Sequence, residues 1–332
     1  MRAHRAVASE VHGGHHRRVP TLTDAPVARH PRGILVACAV PWDDDDRLME
    51  PLFRQQVRDL VVAGFPQQYV FGTAGEGYAV DTARFTAVTA AFLDEAASSG
   101  ASAMVGVIGL SAPAIVERLR IAYGLGARAF QVSLPAWGRL ADVEVDRFFD
   151  DVCGAFPDSR FLHYNLGRTG RMLTGADYAR MVRRVPNLVA TKQATGSMAH
   201  AHDVMRLAPE LAHHFDVDLF SSAAQSGPAS LLASYAPLSP RKIHALFAAA
   251  VEGDTATLAR LQHEVVAVSA DLWSTPAPGP HMDGAYDKLL LHIGVMPGFP
   301  LRLLSPYQGF TDDDAARCRA VLEARWPDWL PD

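Results

Sequence analysis

Between Ile34 and Val40 the chain reads ILVACAV, and between Ala129 and Leu134 it reads AFQVSL. Both runs are apolar at successive rather than alternate positions, the pattern of a strand covered on both faces. Outward from them, short β-branched or aromatic runs recur at Gln68–Gly72, Ala103–Ile108, Arg160–Asn165, Leu188–Gln193, Asp218–Ser222 and Ser230–Tyr235. Stretches of helical period lie between, at Leu48–Ala63, Asp81–Ser99, Ala112–Leu125, Val143–Ala155, Gly175–Arg184 and Met198–Ala212. This alternation is the grammar of a parallel sheet, and eight such units close a barrel. A doubly wound open sheet is the alternative, but the first strand runs into PWDDDD rather than a GxGxxG turn. The reading is an α/β chain whose residues 33–252 form a (β/α)8 barrel. Residues 253–332 add a C-terminal helical region with stretches at Thr255–Trp273, Gly284–Ile293 and Asp312–Arg325. The last two strand candidates are too close together for a parallel crossover, which takes about a dozen residues or more, so the last βα units are read as shortened.

Composition narrows the function. The 332 residues are 49% hydrophobic and 20% charged, and no apolar run reaches the roughly 18 residues of a membrane-spanning helix. Thirty-one Lys plus Arg against 36 Asp plus Glu give a net charge of −5, so no global positive field is available for nucleic acid, and a small-molecule partner is expected. Cys38, Cys153 and Cys318 are widely spaced and form no CxxC, which fits free thiols in a reduced, cytoplasmic protein. Residues 1–32 form a basic leader with six Arg and five His against Glu10 and Asp24, without the apolar stretch of a secretory signal. It is read as a disordered, solvated tail; His12, His15 and His16 lack the Cys or carboxylate neighbours of a metal site.

Barrel chemistry sits at the C-terminal ends of strands and in the loops that follow. The second strand ends in GTAGE, where Gly72 and Gly75 allow backbone N–H groups close to a ligand and Thr73 adds a hydroxyl; a plain strand-to-helix turn would use the same residues. The fifth ends in Tyr164 and Asn165, ahead of Arg168. A phenol there is either a proton carrier or a satisfied core group, and a guanidinium clamps a carboxylate through two parallel bonds. The sixth, LVATKQ, places Lys192 among apolar neighbours. Lysine is scarce, with only Lys192, Lys242 and Lys288 against 28 arginines, so something excluded Arg from this position. A guanidinium keeps its proton, whereas a desolvated ammonium loses it and attacks a carbonyl to form a Schiff base. An ion-paired interior lysine is the other possibility. Asp43–Asp46 either hold Mg²⁺ or cap the following helix. No HExxH, Walker loop or Ser-His-Asp arrangement is present, which leaves metal, phosphate and serine-nucleophile chemistry unsupported.

GTAGE, YN followed by GRTG, and ATKQATG occur together in one order and spacing. In this the chain resembles the dihydrodipicolinate synthase and N-acetylneuraminate lyase family of class I aldolases, from about Gly33 to Arg325. The resemblance implies a TIM barrel in which Lys192 forms an imine with the keto carbon of pyruvate or a related 2-oxo acid, the imine acting as electron sink without metal or organic cofactor. It implies that Tyr164 carries protons, and that Thr73 with the backbone of Ala74 and Gly75 holds the 2-oxo acid carboxylate. Arg168 would take a second carboxylate. It also implies a homo-oligomer, a tetramer built as a dimer of dimers.

The departures from the family pattern are specific. Ala74 stands where a second threonine completes a proton relay, and Trp137, in VSLPAWGRL, where the pattern has a tyrosine. Leu166 and Gly167 follow the YN pair in place of a proline, with one residue fewer before the Arg, and Gln193 follows Lys192 in place of Glu. Trp137, Arg168 and Gln193 are therefore expected to shape a different pocket, with Trp137 favouring a bulkier or less polar aldehyde. The expectation is a carbon–carbon lyase acting on a 2-oxo acid and an aldehyde. A Schiff-base dehydratase of a sugar-derived 2-oxo acid, and a barrel that binds without turnover, are the alternatives.

Overall fold

The structure, a computed structural model, describes residues 28–194, 196–275 and 281–331. Eight parallel strands close in sequence order: β1 (Ile34–Ala37), β2 (Gln67–Val70), β3 (Ser102–Gly106), β4 (Ala129–Val132), β5 (Arg160–Asn165), β6 (Leu188–Gln193), β7 (Ala212–Phe215) and β8 (Ser230–Leu232). The closing pair, β1 with β8, is held by Ile34 opposite Leu231 and Leu35 opposite Leu232. Helices α1 (Glu50–Val62), α2 (Thr82–Ser99), α3 (Ala112–Gly124), α4 (Asp142–Cys153), α5 (Gly175–Arg184), α6 (Met198–Leu207), α7 (Val217–Ala224) and α8 (Pro240–Glu252) follow the strands in turn. Side-chain oxygens of Asp81, Ser111, Thr174, Ser197 and Asp216 cap the starts of α2, α3, α5, α6 and α7 by accepting backbone N–H bonds that the first turn cannot satisfy itself.

Two layers of apolar packing result. The larger lies between strands and helices, where Phe53, Phe85, Phe92, Phe130, Phe149 and Phe161 are fully buried. The smaller fills the barrel's interior: Leu35, Tyr69, Met104, Leu162, Ala190, Ala212 and Leu232 come from seven different strands. Cys38, Cys153 and Cys318 are all buried free thiols. No described helix is long and apolar enough to cross a membrane.

The end of the barrel departs from the sequence reading. Asp218–Ser222, expected as the seventh strand, lies in α7, where Val217, Phe220, Ser221 and Ala223 are buried at helical spacing. The strand is instead AHHF, Ala212–Phe215, which starts at the last residue of the expected helix and runs through the residues that follow it. That helix, α6, stops at Leu207, with Pro209 two residues on. Of the two histidines, His213 is satisfied in place, its Nδ1 2.7 Å from Thr191 Oγ1 and its Nε2 3.0 Å from the Ala208 carbonyl, whereas His214 places Nδ1 3.3 Å from the Thr191 carbonyl and leaves Nε2 without a partner among the described residues. Burial lowers the pKa of His213 to about 4, so it sits neutral in the wall. No strand or helix is missing; α7 and β8 are merely short, at 8 and 3 residues.

Residues 1–27 of the expected leader, with His12, His15 and His16, lie outside the described residues. Its end is anchored. The Arg29 guanidinium donates to the carbonyls of Val182, Val185 and Leu188, and Arg32 Nε to that of Ala229 at 2.7 Å, at the N-terminal ends of β6 and β8. The C-terminal helices are α9 (Thr255–Trp273), which packs alongside α7 and α8, α10 (Asp283–Ile293), which reaches the mouth at the opposite end of the barrel, and α11 (Asp312–Arg325), which packs on α9 and α10. A buried ion pair seats α10 at the mouth: Lys288 Nζ lies 2.7 Å from Glu76 Oε1, both side chains fully buried. Glu76 also accepts from Trp42 Nε1 at 2.9 Å and from the Leu304 N–H at 2.7 Å. The glutamate of GTAGE is thus the bolt between barrel and appendage.

Candidate active site

The register of β5 on β6 sets Tyr164 directly beside Lys192. Both side chains enter the barrel, because residues two apart on a strand share a face and Leu162 and Ala190 belong to the interior cluster. Lys192 is 3% exposed. Its Nζ donates to Tyr69 Oη at 2.8 Å and lies 3.9 Å from the centre of the Tyr164 ring and 4.6 Å from that of Tyr69. The ring faces favour the cation but do not neutralise it. No described ion pair includes Lys192, in contrast to Lys288, which holds a carboxylate at 2.7 Å. Of the two buried lysines, Lys288 is held by a carboxylate and Lys192 has none at ion-pair distance among the described residues. Burial lowers the Lys192 pKa to about 8, against the opposing pull of Asp287, Asp283 and Asp216.

Tyr164 Oη lies 3.2 Å from Thr73 Oγ1, which ties the end of β5 to the GTAGE turn. Burial raises the Tyr164 pKa to about 12, opposed by the Thr73 hydrogen bond, so its proton is kept at neutral pH. The turn is strained on both sides, with φ of 61° at Phe71 and 56° at Glu76. It is also crowded: a Cβ at Gly75 would meet the Phe71 nitrogen at 2.6 Å, and one at Gly106 the Phe71 carbonyl at 2.2 Å. Glycine is required at both for the backbone to approach this closely. Among the described residues nothing accepts from the N–H groups of Thr73 and Ala74, which are adjacent donors at the mouth.

Tyr69, Thr73, Ala74, Tyr164 and Lys192 line one cavity of ≈ 170 Å³, closed on its far side by Asp216, Ser234, Asp283 and Asp287. A second chamber of ≈ 430 Å³ shares those last four residues and continues outward. Asp283 and Asp287 stand one turn apart on α10 and so share a face. Burial raises the Asp287 pKa to about 7, and the charge of Asp283 adds to it. Burial likewise raises Asp216 to about 6.

Of the residues read from sequence, Lys192, Tyr164, Thr73 and Ala74 come together here. The others do not. Gly75 packs its backbone against Phe71 and Cys38. Gln193 points out of the barrel, as the neighbour of an inward residue must, accepting from Asn165 Nδ2 at 2.9 Å and donating to Thr191 Oγ1 at 2.9 Å. Trp137 is 88% exposed and lines neither chamber. Arg168 has its two terminal nitrogens on Asp283, at 2.9 and 2.8 Å, so its carboxylate-binding fork is filled from within the chain. Asp43–Asp46 do not cap α1, and no group of three or more carboxylate, His or Cys ligands placed to hold a metal ion occurs among the described residues: Asp43 Oδ1 accepts from the N–H groups of Asp45 and Arg47, and Asp46 pairs with Arg302.

Sequence reasoning missed Tyr69, Asp216, Asp283 and Asp287. Tyr69 had a signal, since it lies on a recognised strand. The two α10 aspartates, at helical spacing in DGAYD, had none that pointed to a barrel mouth.

The Dihydrodipicolinate synthetase family profile matches residues 30–289, most of the chain and all eight strands. The chain belongs to this family. It is similar to the 4-hydroxy-tetrahydrodipicolinate synthase of Methylococcus capsulatus, 26% identical over 269 residues that cover 80% of this chain and 91% of that one. The enzyme of the same name from Halorhodospira halophila is 25% identical over 299 residues, 88% and 96% of the two chains. Among solved structures, the Escherichia coli K12 prophage protein YagE in complex with pyruvate superposes with a TM-score of 0.77 at 19% identity, covering 88% of this chain and 98% of that one. A monomeric dihydrodipicolinate synthase variant superposes with a TM-score of 0.78 at 18% identity, covering 92% and 99%. These likenesses show the barrel and its C-terminal helices. Family membership makes the chain a lyase of the class I aldolase kind.

Proposed function

We propose that the protein makes or cleaves a carbon–carbon bond next to the keto carbon of pyruvate or a related 2-oxo acid, through a Schiff base on Lys192. The observation that carries this reading is the state of that amine. It is buried, free of any carboxylate at ion-pair distance and shifted to about 8 by desolvation, with a phenol against it and an open cavity beside it. Its neutral form attacks the keto carbon; the oxygen leaves as water after taking up two protons, and the nitrogen forms the imine. Protonated, the imine withdraws the electron pair released when the adjacent bond breaks, or when a proton leaves to give the enamine.

Tyr164 stands where it can deliver and recover those protons, with Thr73 orienting its hydroxyl. The unengaged N–H groups of Thr73 and Ala74 suit the 2-oxo acid carboxylate. The relay expected to continue from Thr73 stops at Ala74, and Trp137 does not replace its missing tyrosine. Tyr69, bonded to the amine itself, is the second phenol of this site. The intact Lys192, Tyr164 and Thr73 geometry favours turnover over mere binding.

Product analysis tests the reading. Incubation of the full chain with pyruvate and an aldehyde should give an aldol, lost in Lys192→Arg with the fold retained. A deoxygenated oxo acid from a sugar-derived 2-oxo acid would select the dehydratase alternative, and undiminished turnover by Lys192→Arg would overturn the proposal.

A further inference from the structure

We propose that the chamber beside the Lys192 cavity binds a cation, so that the aldehyde joined to or released from the 2-oxo acid carries an ammonium group rather than a carboxylate. This rests on the Lys192 reading above and names the second reactant.

The chamber holds ≈ 430 Å³, enough for a small organic ligand, and shares Asp216, Ser234, Asp283 and Asp287 with the cavity that contains the amine. A reactant lodged in it therefore adjoins whatever Lys192 carries. Its lining brings together two features that recognise ammonium groups. The first is carboxylate: Asp216, Asp218, Asp283 and Asp287 all face it, and no Lys, Arg or His is among its described lining residues. The second is aromatic: Tyr235, Trp273 and Tyr286 all line it, Trp273 packing edge-on to Tyr286 with ring centres 4.8 Å apart and 6.3 Å from Tyr235. Ring faces attract cations, most strongly where water is excluded.

The individual carboxylates are not equivalent. Asp283 is already engaged by the two-pronged bond from Arg168, and Asp216 accepts the Leu219 N–H at 3.1 Å to cap α7. Asp287 has no hydrogen bond or ion pair among the described residues, although it is half-buried and one turn from Asp283. It is pushed up to about 7 by burial and by that neighbour, a penalty that an incoming cation relieves. A carboxylate in the same place would face like charge with no Lys, Arg or His among the chamber's described lining residues, since Lys192 lies in the adjoining cavity and the Arg168 fork is already filled.

Calorimetric titration of the full-length protein with butyltrimethylammonium, butyrate and butanol, in the presence of pyruvate, tests this. The ammonium ion is expected to bind at least about tenfold more tightly than butyrate, and Asp287→Asn to weaken the ion about tenfold while leaving butanol unchanged. Trp273→Leu should weaken the ion by a similar factor and decides the matter if the Asp287 variant does not fold. Butyrate binding as well as the ion, no measurable binding of the ion, or indifference to both substitutions would overturn the inference. Borohydride reduction of the same preparation with pyruvate separates the two claims. An adduct on Lys192 without cation preference sinks the chamber's role alone, whereas cation preference without an adduct sinks the Schiff-base reading.

Discussion

Replacing Tyr69 by Phe removes the one hydrogen bond that Lys192 makes among the described residues, at 2.8 Å, in a site where Lys192 and Tyr69 are 3% and 2% exposed. The phenol oxygen accepts from the amine, and it does so more strongly when the amine is an ammonium. A hydrogen bond to a charged partner is worth about 1.5–3 kcal/mol, and about 1.4 kcal/mol corresponds to one pH unit. Loss of this acceptor destabilises the cation, so the Lys192 pKa falls from about 8 by roughly one to two pH units. At pH 7 the free-amine fraction then rises from about a tenth to about half or more. The assay is the initial rate of Lys192 reductive methylation against pH, read by mass spectrometry of the peptide that contains it. A midpoint that stays in place, or moves up, would refute the claim that the Tyr69 phenol supports the charged amine.

Three further outcomes follow from the same geometry. Because the Lys192 pKa is lowered on folding, the folded chain bears a buried ammonium at neutral pH. The unfolded state binds more protons between about 8 and 10.5, and stability should rise by about 3 kcal/mol across that window. Lys192→Met should therefore be more stable than the parent by about that amount at pH 7 and lose the advantage by pH 10, measured by urea unfolding; parallel pH profiles would contradict this. Tyr164→Phe should lower turnover by about 10²–10⁴-fold while an imine still forms, a split that stopped-flow trapping and steady-state rates would separate. Glu76→Gln leaves Lys288 as an uncompensated buried cation and should cost about 3–5 kcal/mol; thermal melts should show most of it recovered when Lys288→Met is added.

The barrel was legible because its strands are apolar on both faces and its helices carry period, from ILVACAV to LVATKQ. It failed at β7, where AHHF offers neither β-branched residues nor alternation and becomes a strand only through Thr191, Ala208 and the neighbouring wall. At the site, Lys192 announced itself by chemistry, as a lysine in an arginine-rich chain with no reason to be inside. Gln193 was misplaced although period two alone turns it outward once Lys192 faces in. Arg168 could not be judged from sequence, since its partner Asp283 is 115 residues away. A longer separation hid Asp287, whose position depends on the Glu76–Lys288 bolt, 212 residues apart in sequence, that seats α10 over the mouth. Trp137 carried only a loop position, and the loop holds it in solvent.

The most direct measurement of the proposed Lys192 chemistry is reduction of the full chain with borohydride in the presence of pyruvate, followed by peptide mass spectrometry. The predicted result is a single reduced pyruvate adduct on the peptide that contains Lys192, absent from Lys192→Arg. An adduct on Lys242 or Lys288, or none on any lysine while the fold is intact, would contradict it.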